Sequence, residues 1–155
     1  MPRPLIGLLL SFLTLTFSAC GQSGRKAPEG LIPVAGVVTL DGQPADHIAI
    51  NFIPTRETSS MGGYAVTDSS GHFRVKHLSN VNGAEGLEPG NYQVTFSKIA
   101  MPDGSPIPEG KDAADVGAVE SLPSHLSAPE PEKSRFILQV QNAQNDVNFD
   151  LKSKP

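Results

Sequence analysis

Beyond residue 34 apolar and polar side chains alternate along most of the chain, and a period of two is the signature of a strand with one buried face. Ile48, Ile50 and Phe52 alternate with Ala49 and Asn51, and Tyr92, Val94 and Phe96 with Gln93, Thr95 and Ser97. Phe136, Leu138 and Val140 alternate with Ile137, Gln139 and Gln141, and Val147, Phe149 and Leu151 with Asn148, Asp150 and Lys152. Shorter stretches at 34–40, 64–67 and 73–76 complete seven predicted strands. Half-buried strands of this kind build antiparallel sheets, and two such sheets stack apolar face to apolar face. Residues 34–152 are therefore expected to form an all-β, seven-stranded antiparallel Greek-key β-sandwich. Its inward set is Ile50, Phe52, Val94, Phe96, Leu138 and Phe149, with Thr95 facing out and both Tyr64 and Tyr92 facing in. No amphipathic helix pattern stands out.

Turn chemistry falls between the strands. Asp41-Gly42 suits a tight hairpin turn. In 68–71, Asp68 is able to bond its own backbone and Gly71 to take positive φ. Asn142 to Asn145 joins the last two strands. Pro89-Gly90 bends the chain immediately before Tyr92, which leaves two readings for that residue: a core aromatic, or a corner tyrosine whose hydroxyl bonds upstream backbone.

The amino-terminal segment follows different rules. Arg3 precedes an apolar run of about thirteen residues, 5–17, which is too short to cross a bilayer but has the proportions of a secretory signal. Ser18 and Ala19 follow, and then Cys20, the only cysteine of the 155 residues. The string Phe17-Ser18-Ala19-Cys20 resembles a bacterial lipobox, with Phe17 where Leu is usual. The resemblance implies a signal peptide at 1–19 and a mature chain that starts at Cys20. It also implies a diacylglycerol thioether on the thiol and an acyl chain such as palmitate on the amine. An ordinary signal peptide with an incidental free Cys20 is the competing reading. Residues 20–33 are polar and rich in Gly and Pro, as expected of a flexible tether.

The sandwich segment also resembles a known family. Val34 to Pro44 (VAGVVTLDGQP), Asn51-Phe52-Ile53-Pro54, Thr67 to Phe73, Leu87 to Val94 and Asn145 to Leu151 follow one another as in carboxypeptidase-regulatory-like domains. The resemblance covers roughly 34–152. It implies a transthyretin-like/immunoglobulin-like fold and an accessory placement without hydrolysis, because a fold by itself carries no chemistry.

Candidate chemistry is sparse. The chain has 12 Lys plus Arg against 16 Asp plus Glu, a net charge of −4, so it offers no basic footprint for nucleic acid. There is no H-E-x-x-H, C-x-x-C, G-x-S-x-G or phosphate-binding loop motif. The four histidines, His47, His72, His77 and His125, read as solvent or strand-end residues, with a transition-metal site as the rival reading. Asp68 and Ser70 read as a turn, with calcium as the rival. Asp112 and Asp115 read as solvated loop acids rather than a general acid–base pair. No catalytic residue, cofactor or metal ligand is expected.

One segment exceeds what a minimal sandwich needs. Residues 101–134 hold six Pro, seven Asp plus Glu and two Lys, and long loops of this kind are usually functional or disordered. Leu122 to Leu126 are expected to dock it once, and 112–119 to form a helical turn or two, N-capped by Asp112. The rest is either a solvated cover or a partner-binding loop. The resulting expectation is a membrane-anchored lipoprotein of the cell envelope, facing the periplasm or the surface. It is non-catalytic and acts as a structural or protein-interaction module, with an envelope protein partner reached through 101–134. The alternative is a module that binds a glycan or small molecule, disfavoured by the absence of Trp and the inward placement of Tyr64 and Tyr92.

Overall fold

The computed structural model describes residues 28–79, 81, 83–127 and 134–154. The signal segment 1–19, Cys20 and the tether as far as 27 lie outside the described residues. The described chain is all-β, with no helix among the described residues, and its packed sheets are consistent with a β-sandwich.

Eleven strands follow in order: β1 (Val34–Leu40), β2 (Gln43–Pro44), β3 (Ala49–Pro54), β4 (Gly63–Val66), β5 (His72–Arg74), β6 (Lys76–His77), β7 (Gly90–Ser97), β8 (Ile99–Ala100), β9 (Val119–Glu120), β10 (Phe136–Val140) and β11 (Gln144–Leu151). One sheet runs β11-β1-β2 with β5 also on β1, the second runs β10-β7-β3-β4-β6, and β8 and β9 form a separate hairpin. All seven predicted strands are present. The short additions β2, β8 and β9 have too few residues to carry a period. The run from 72 to 77 divides at Val75, because β5 pairs with β1 and β6 with β4.

The strand directions depart from an all-antiparallel arrangement. β11 lies parallel to β1, with Val37 beside Asn148 and Val38 beside Phe149. The turn after Val140 does join the last two strands, but it carries the chain from one sheet to the other instead of pairing β10 with β11. Alternation reports which face of a strand is buried and is silent on its direction. A register shift between Val34 and Gly36 lets the two strands close. A Cβ at Gly36 would lie 1.8 Å from the Val147 carbonyl oxygen, so only glycine fits there.

Five phenylalanines link the two inner faces. Phe52 packs on Phe73 at 6.1 Å, Phe73 on Phe149 at 5.9 Å, and Phe149 edge-on to Phe96 at 5.2 Å. Phe96 then meets Phe136 edge-on at 5.1 Å. Phe52, Phe96 and Phe136 come from one sheet and Phe73 and Phe149 from the other, so the rings stitch the layers together. Tilted and edge-on pairs are the arrangement the ring quadrupole favours. Ile50, Val94, Val140 and Leu151 fill in around them, fully buried. Leu138, expected inside, is half-buried on the edge strand β10.

One expected orientation is corrected, that of Tyr64, while Thr95 keeps its orientation and differs in exposure. Tyr64 is 40 % exposed, because the small residues Gly63 and Ala65 take the inward positions of β4. Thr95 points away from the core side of β7 but is only 8 % exposed, since β7 is a central strand with β10 and β3 on either side. The turns follow their residues. Asp41 and Gly42 both have positive φ, at 52° and 79°, as the tight β1–β2 hairpin requires. The Asp68 carboxylate accepts hydrogen bonds from the Ser70 and His72 N–H groups at 2.8 and 3.0 Å. Tyr92 is a buried corner tyrosine, its hydroxyl donating to the Glu88 carbonyl at 2.8 Å.

The chain thereby acquires two distinct poles. Val34 starts β1 beside Gln144, and Ile32 bridges to Leu87, so residue 28 onward joins the sandwich at the Glu88–Tyr92 corner. Leu40, Leu151 and Ser97 lie at the opposite end, where Lys98 reaches Asp46 at 2.8 Å.

Denaturant melts test this packing. Phe96→Ala is expected to cost about 3–5 kcal/mol. Gly36→Ala is expected to cost roughly 1–3 kcal/mol or more, through steric overlap in the β1–β11 ladder. A Gly36→Ala midpoint equal to wild type would refute the close approach.

Candidate functional site

Three clusters hold the side chains capable of chemistry or recognition: the loop at the far pole, a buried histidine at the near pole, and a groove along the side. Cys20, the expected lipidation site, lies outside the described residues.

The loop springs from β8 and returns through β9, with Ala100 beside Val119. Glu120 locks its base. Its carboxylate accepts from Ser97 Oγ at 2.7 Å and from the Lys98 and Leu122 N–H groups at 2.9 Å. Of the helical turn or two expected at 112–119, one turn is present, at 113–117. Val116 N–H bonds the Asp112 carbonyl, and the paired bonds Ala118 to Ala113 and Gly117 to Ala114 close it with Gly117 at φ 69°. That pairing is a Schellman ending, and its left-handed position calls for glycine. Leu122 and Leu126 enter the core as expected, and His125 Nε2 bonds the Lys152 carbonyl at 3.0 Å. The loop is therefore held at two places, at β9 and at Leu122–Leu126, instead of one. Between Pro102 and Ala118 it is largely exposed and carries Asp103, Glu109, Asp112 and Asp115 against Lys111.

His77 is not a solvent histidine. Its side chain has 0 % exposure, and its Nε2 lies 3.0 Å from Glu88 Oε2. Nδ1 accepts the Ser79 N–H at 3.1 Å, which leaves Nε2 as the proton-bearing nitrogen. Ser60 Oγ donates to the same Glu88 oxygen and itself accepts the Gly62 N–H. The Ser, His and Glu side chains thus meet, but the serine bonds the carboxylate and both histidine nitrogens are committed. No nitrogen faces the serine to take its proton, so the cluster is a clamp joining β6 to the segments that carry Ser60 and Glu88 rather than a nucleophile–base relay. Burial pushes the Glu88 carboxyl up, and the hydrogen bonds from Ser60, its own backbone and His77 outweigh it, leaving the group below its ordinary value. Sequence spacing gave no sign of this pairing, because the partners are eleven residues apart on different elements.

The other histidines stay apart. His47 lies beside Asp46 at 3.1 Å, and His72 is 3.9 Å from Asp68. Among the described residues no group of three His, Cys, Asp or Glu side chains is placed to hold a metal ion. Asp68 spends one carboxylate oxygen on its own turn. Asp112 and Asp115 sit exposed on the loop turn.

The groove arises where the chain changes sheets. β4 and β5 are joined by the 68–71 turn but belong to different sheets, so they splay apart and leave an open cleft of 620 Å³. Ala35 and Val37 of β1 form its half-buried floor. On one side His72 and Arg74 of β5 pair with these two residues. On the other, Asn148 of β11 pairs with Val37, and Asn145 and Asp146 precede it. Tyr64 and Lys76, cross-strand neighbours on β4 and β6, complete the rim.

Comparison with family models, with curated proteins and with solved structures gives no match to this chain. No helix among the described residues is long and apolar enough to cross a membrane.

The Glu88 clamp has a pH signature. A carboxyl held below its ordinary value of 4.5 contributes stability above that value and loses it as pH falls through the lower folded-state value. Between about pH 5 and pH 3, wild type is therefore expected to lose more stability than Glu88→Gln in parallel melts. Equal acid slopes would show that the carboxylate is not held by Ser60 and His77.

Proposed function

We propose that this chain is a lipid-anchored, non-catalytic β-sandwich of the cell envelope that acts by interaction, tethered through Cys20. In this reading the sandwich is a seven-stranded Greek key of transthyretin-like/immunoglobulin-like type, as in carboxypeptidase-regulatory-like domains. The observation that carries the reading is the placement of the two ends of the molecule. The chain that follows Cys20 joins the sandwich at the Glu88–Tyr92 pole, and the 101–118 loop leaves from the opposite pole. An anchor on Cys20 then turns the loop away from the lipid, toward whatever stands above the membrane. Residues 20–27, which precede the part joined to the sandwich, span up to about 26 Å when extended, enough to hold the domain off the headgroups. Two acyl chains and a third on the amine, at about 0.8 kcal/mol per buried methylene, hold the protein durably.

Fractionation tests the anchor. Wild type is expected in the detergent phase with an acylated Cys20 by mass spectrometry of the mature amino terminus, and Cys20→Ser in the soluble or unprocessed fraction. An unmodified Cys20 thiol on membrane-extracted protein would overturn the reading.

Replacement of 103–118 by a hairpin-length Gly/Ser linker tests the loop. Ala100 and Val119 are already cross-strand partners and Met101 and Pro102 remain between them, so a linker of about one to three residues makes a hairpin-length connection. Glu120 must be retained because it locks the base. The melting temperature is expected to shift little, since the removed residues bury little apolar surface and closure entropy changes slowly with length. Loss of an envelope protein that co-purifies with wild type marks the loop as the partner arm. Survival of that partner with lower solubility marks it as a cover. Unfolding of the variant would contradict both.

A further inference from the structure

We propose that the groove between β4 and β5 is a binding site for a short neutral saccharide chain. The proposal is independent of the lipid anchor and rests on the groove's width, floor, charge and uncommitted side chains.

Neighbouring strands stand about 4.8 Å apart, so Asn148 and His72, flanking Val37 on two sides, are separated by about 10 Å across the floor. A pyranose ring laid over Val37 has its hydroxyl groups directed toward both walls. The floor itself is flat and apolar but small, Ala35 and Val37 at successive outward positions of β1, which lets a ring approach the sheet. Tyr64 adds an aromatic face at the rim. Its exposure corrects the expected inward placement of Tyr64, whereas Tyr92 stays buried, so the groove has one aromatic ring to offer a sugar. Sugar rings present apolar C–H faces and a girdle of hydroxyls, and a floor of this type with polar walls matches both.

Charge separates this ligand class from others. Asp68 and Asp146 balance Arg74 and Lys76, and Arg74 is further drawn toward Glu85 at 4.0 Å. A groove with no net formal charge from these four groups has no long-range attraction for a polyanion or a polycation. The amides Asn145 and Asn148 each donate and accept, which suits hydroxyl groups that do the same. Asn145, Asp146, Asn148 and Tyr64 make no side-chain hydrogen bond among the described residues, so their polar atoms are available without breaking an internal contact. A volume of 620 Å³ lies in the range of small-molecule sites.

The full chain in detergent, applied to an array of neutral gluco-, manno-, galacto- and N-acetylglucosamine oligosaccharides with polygalacturonate as the anionic control, gives the test. Retention on at least one neutral series is expected, with affinity for that oligosaccharide reduced about tenfold or more in Tyr64→Ala and in Asn148→Ala. Both side chains are exposed, so circular dichroism and melting are expected to match wild type. Ile137→Ala, an exposed apolar change on β10, is expected to leave binding untouched. Absence of binding to every neutral series at millimolar concentration would overturn the proposal. So would retention on polygalacturonate alone, or saccharide binding that both groove variants leave undiminished.

Discussion

The close parallel pairing of β1 with β11 is the constraint on which the remaining geometry depends. It is made possible at one residue, Gly36, where the Val147 carbonyl occupies the space of a side chain. Once closed, the ladder joins the first strand after the tether to the last strand of the chain. It brings Phe149 into reach of Phe73 and Phe96, and so completes the ring contacts between the sheets. It also sets Asn148 beside Val37, which forms one wall of the groove. Thr39 donates to Asp150 at 2.9 Å and Ser153 N–H to Asp41 at 3.0 Å, which carries the closure on to the far pole.

A second consequence flows from Val75. Its N–H bonds Val34 on one sheet, and Gly86 N–H bonds its carbonyl, so the strand changes sheets with its backbone groups satisfied. Splaying β5 from β4 opens the groove, and continuing into β6 delivers His77 to Glu88. The clamp thus depends on the same sheet switch as the groove. Polar groups at the near pole are bonded in a chain from Gly62 through Ser60 and Glu88 to His77 and Ser79, with Tyr92 bonding the Glu88 carbonyl. Its side-chain members Ser60, Glu88 and His77 each have a partner, while Ser79 joins through its backbone N–H and its hydroxyl is buried without one.

Local features were the legible ones. Faces of strands follow alternation, Asp41-Gly42 and 68–71 turn as their residues require, and Tyr92 makes the corner bond that its place after Pro89-Gly90 permits. Leu122 and Leu126 dock as apolar residues in a polar loop should. Features that depend on which strands meet were not legible. The direction of β11, the division of the 72–77 run, and the pairing of His77 with Glu88 all depend on contacts between distant segments. Tyr64 departs from its expected side for a simpler reason: in GYAV the bulky residues Tyr64 and Val66 carry the apolar signal, while Gly63 and Ala65 are the residues turned inward. Thr95 lies on the side of β7 that alternation predicts, but its burial comes from neighbouring strands that its own segment does not specify. The groove had no linear signal at all, since its walls come from β11, β5 and β4 and its floor from β1.

Interstrand nuclear Overhauser contacts in the isotope-labelled chain test the central ladder most directly. The account predicts backbone contacts in the parallel pattern, linking Val37 with Asn148 and Thr39 with Asp150, alongside contacts from Gly36 to Val147. An antiparallel pattern joining β10 to β11 across residues 141–143, with none between β1 and β11, would contradict it and remove the basis for both the poles and the groove.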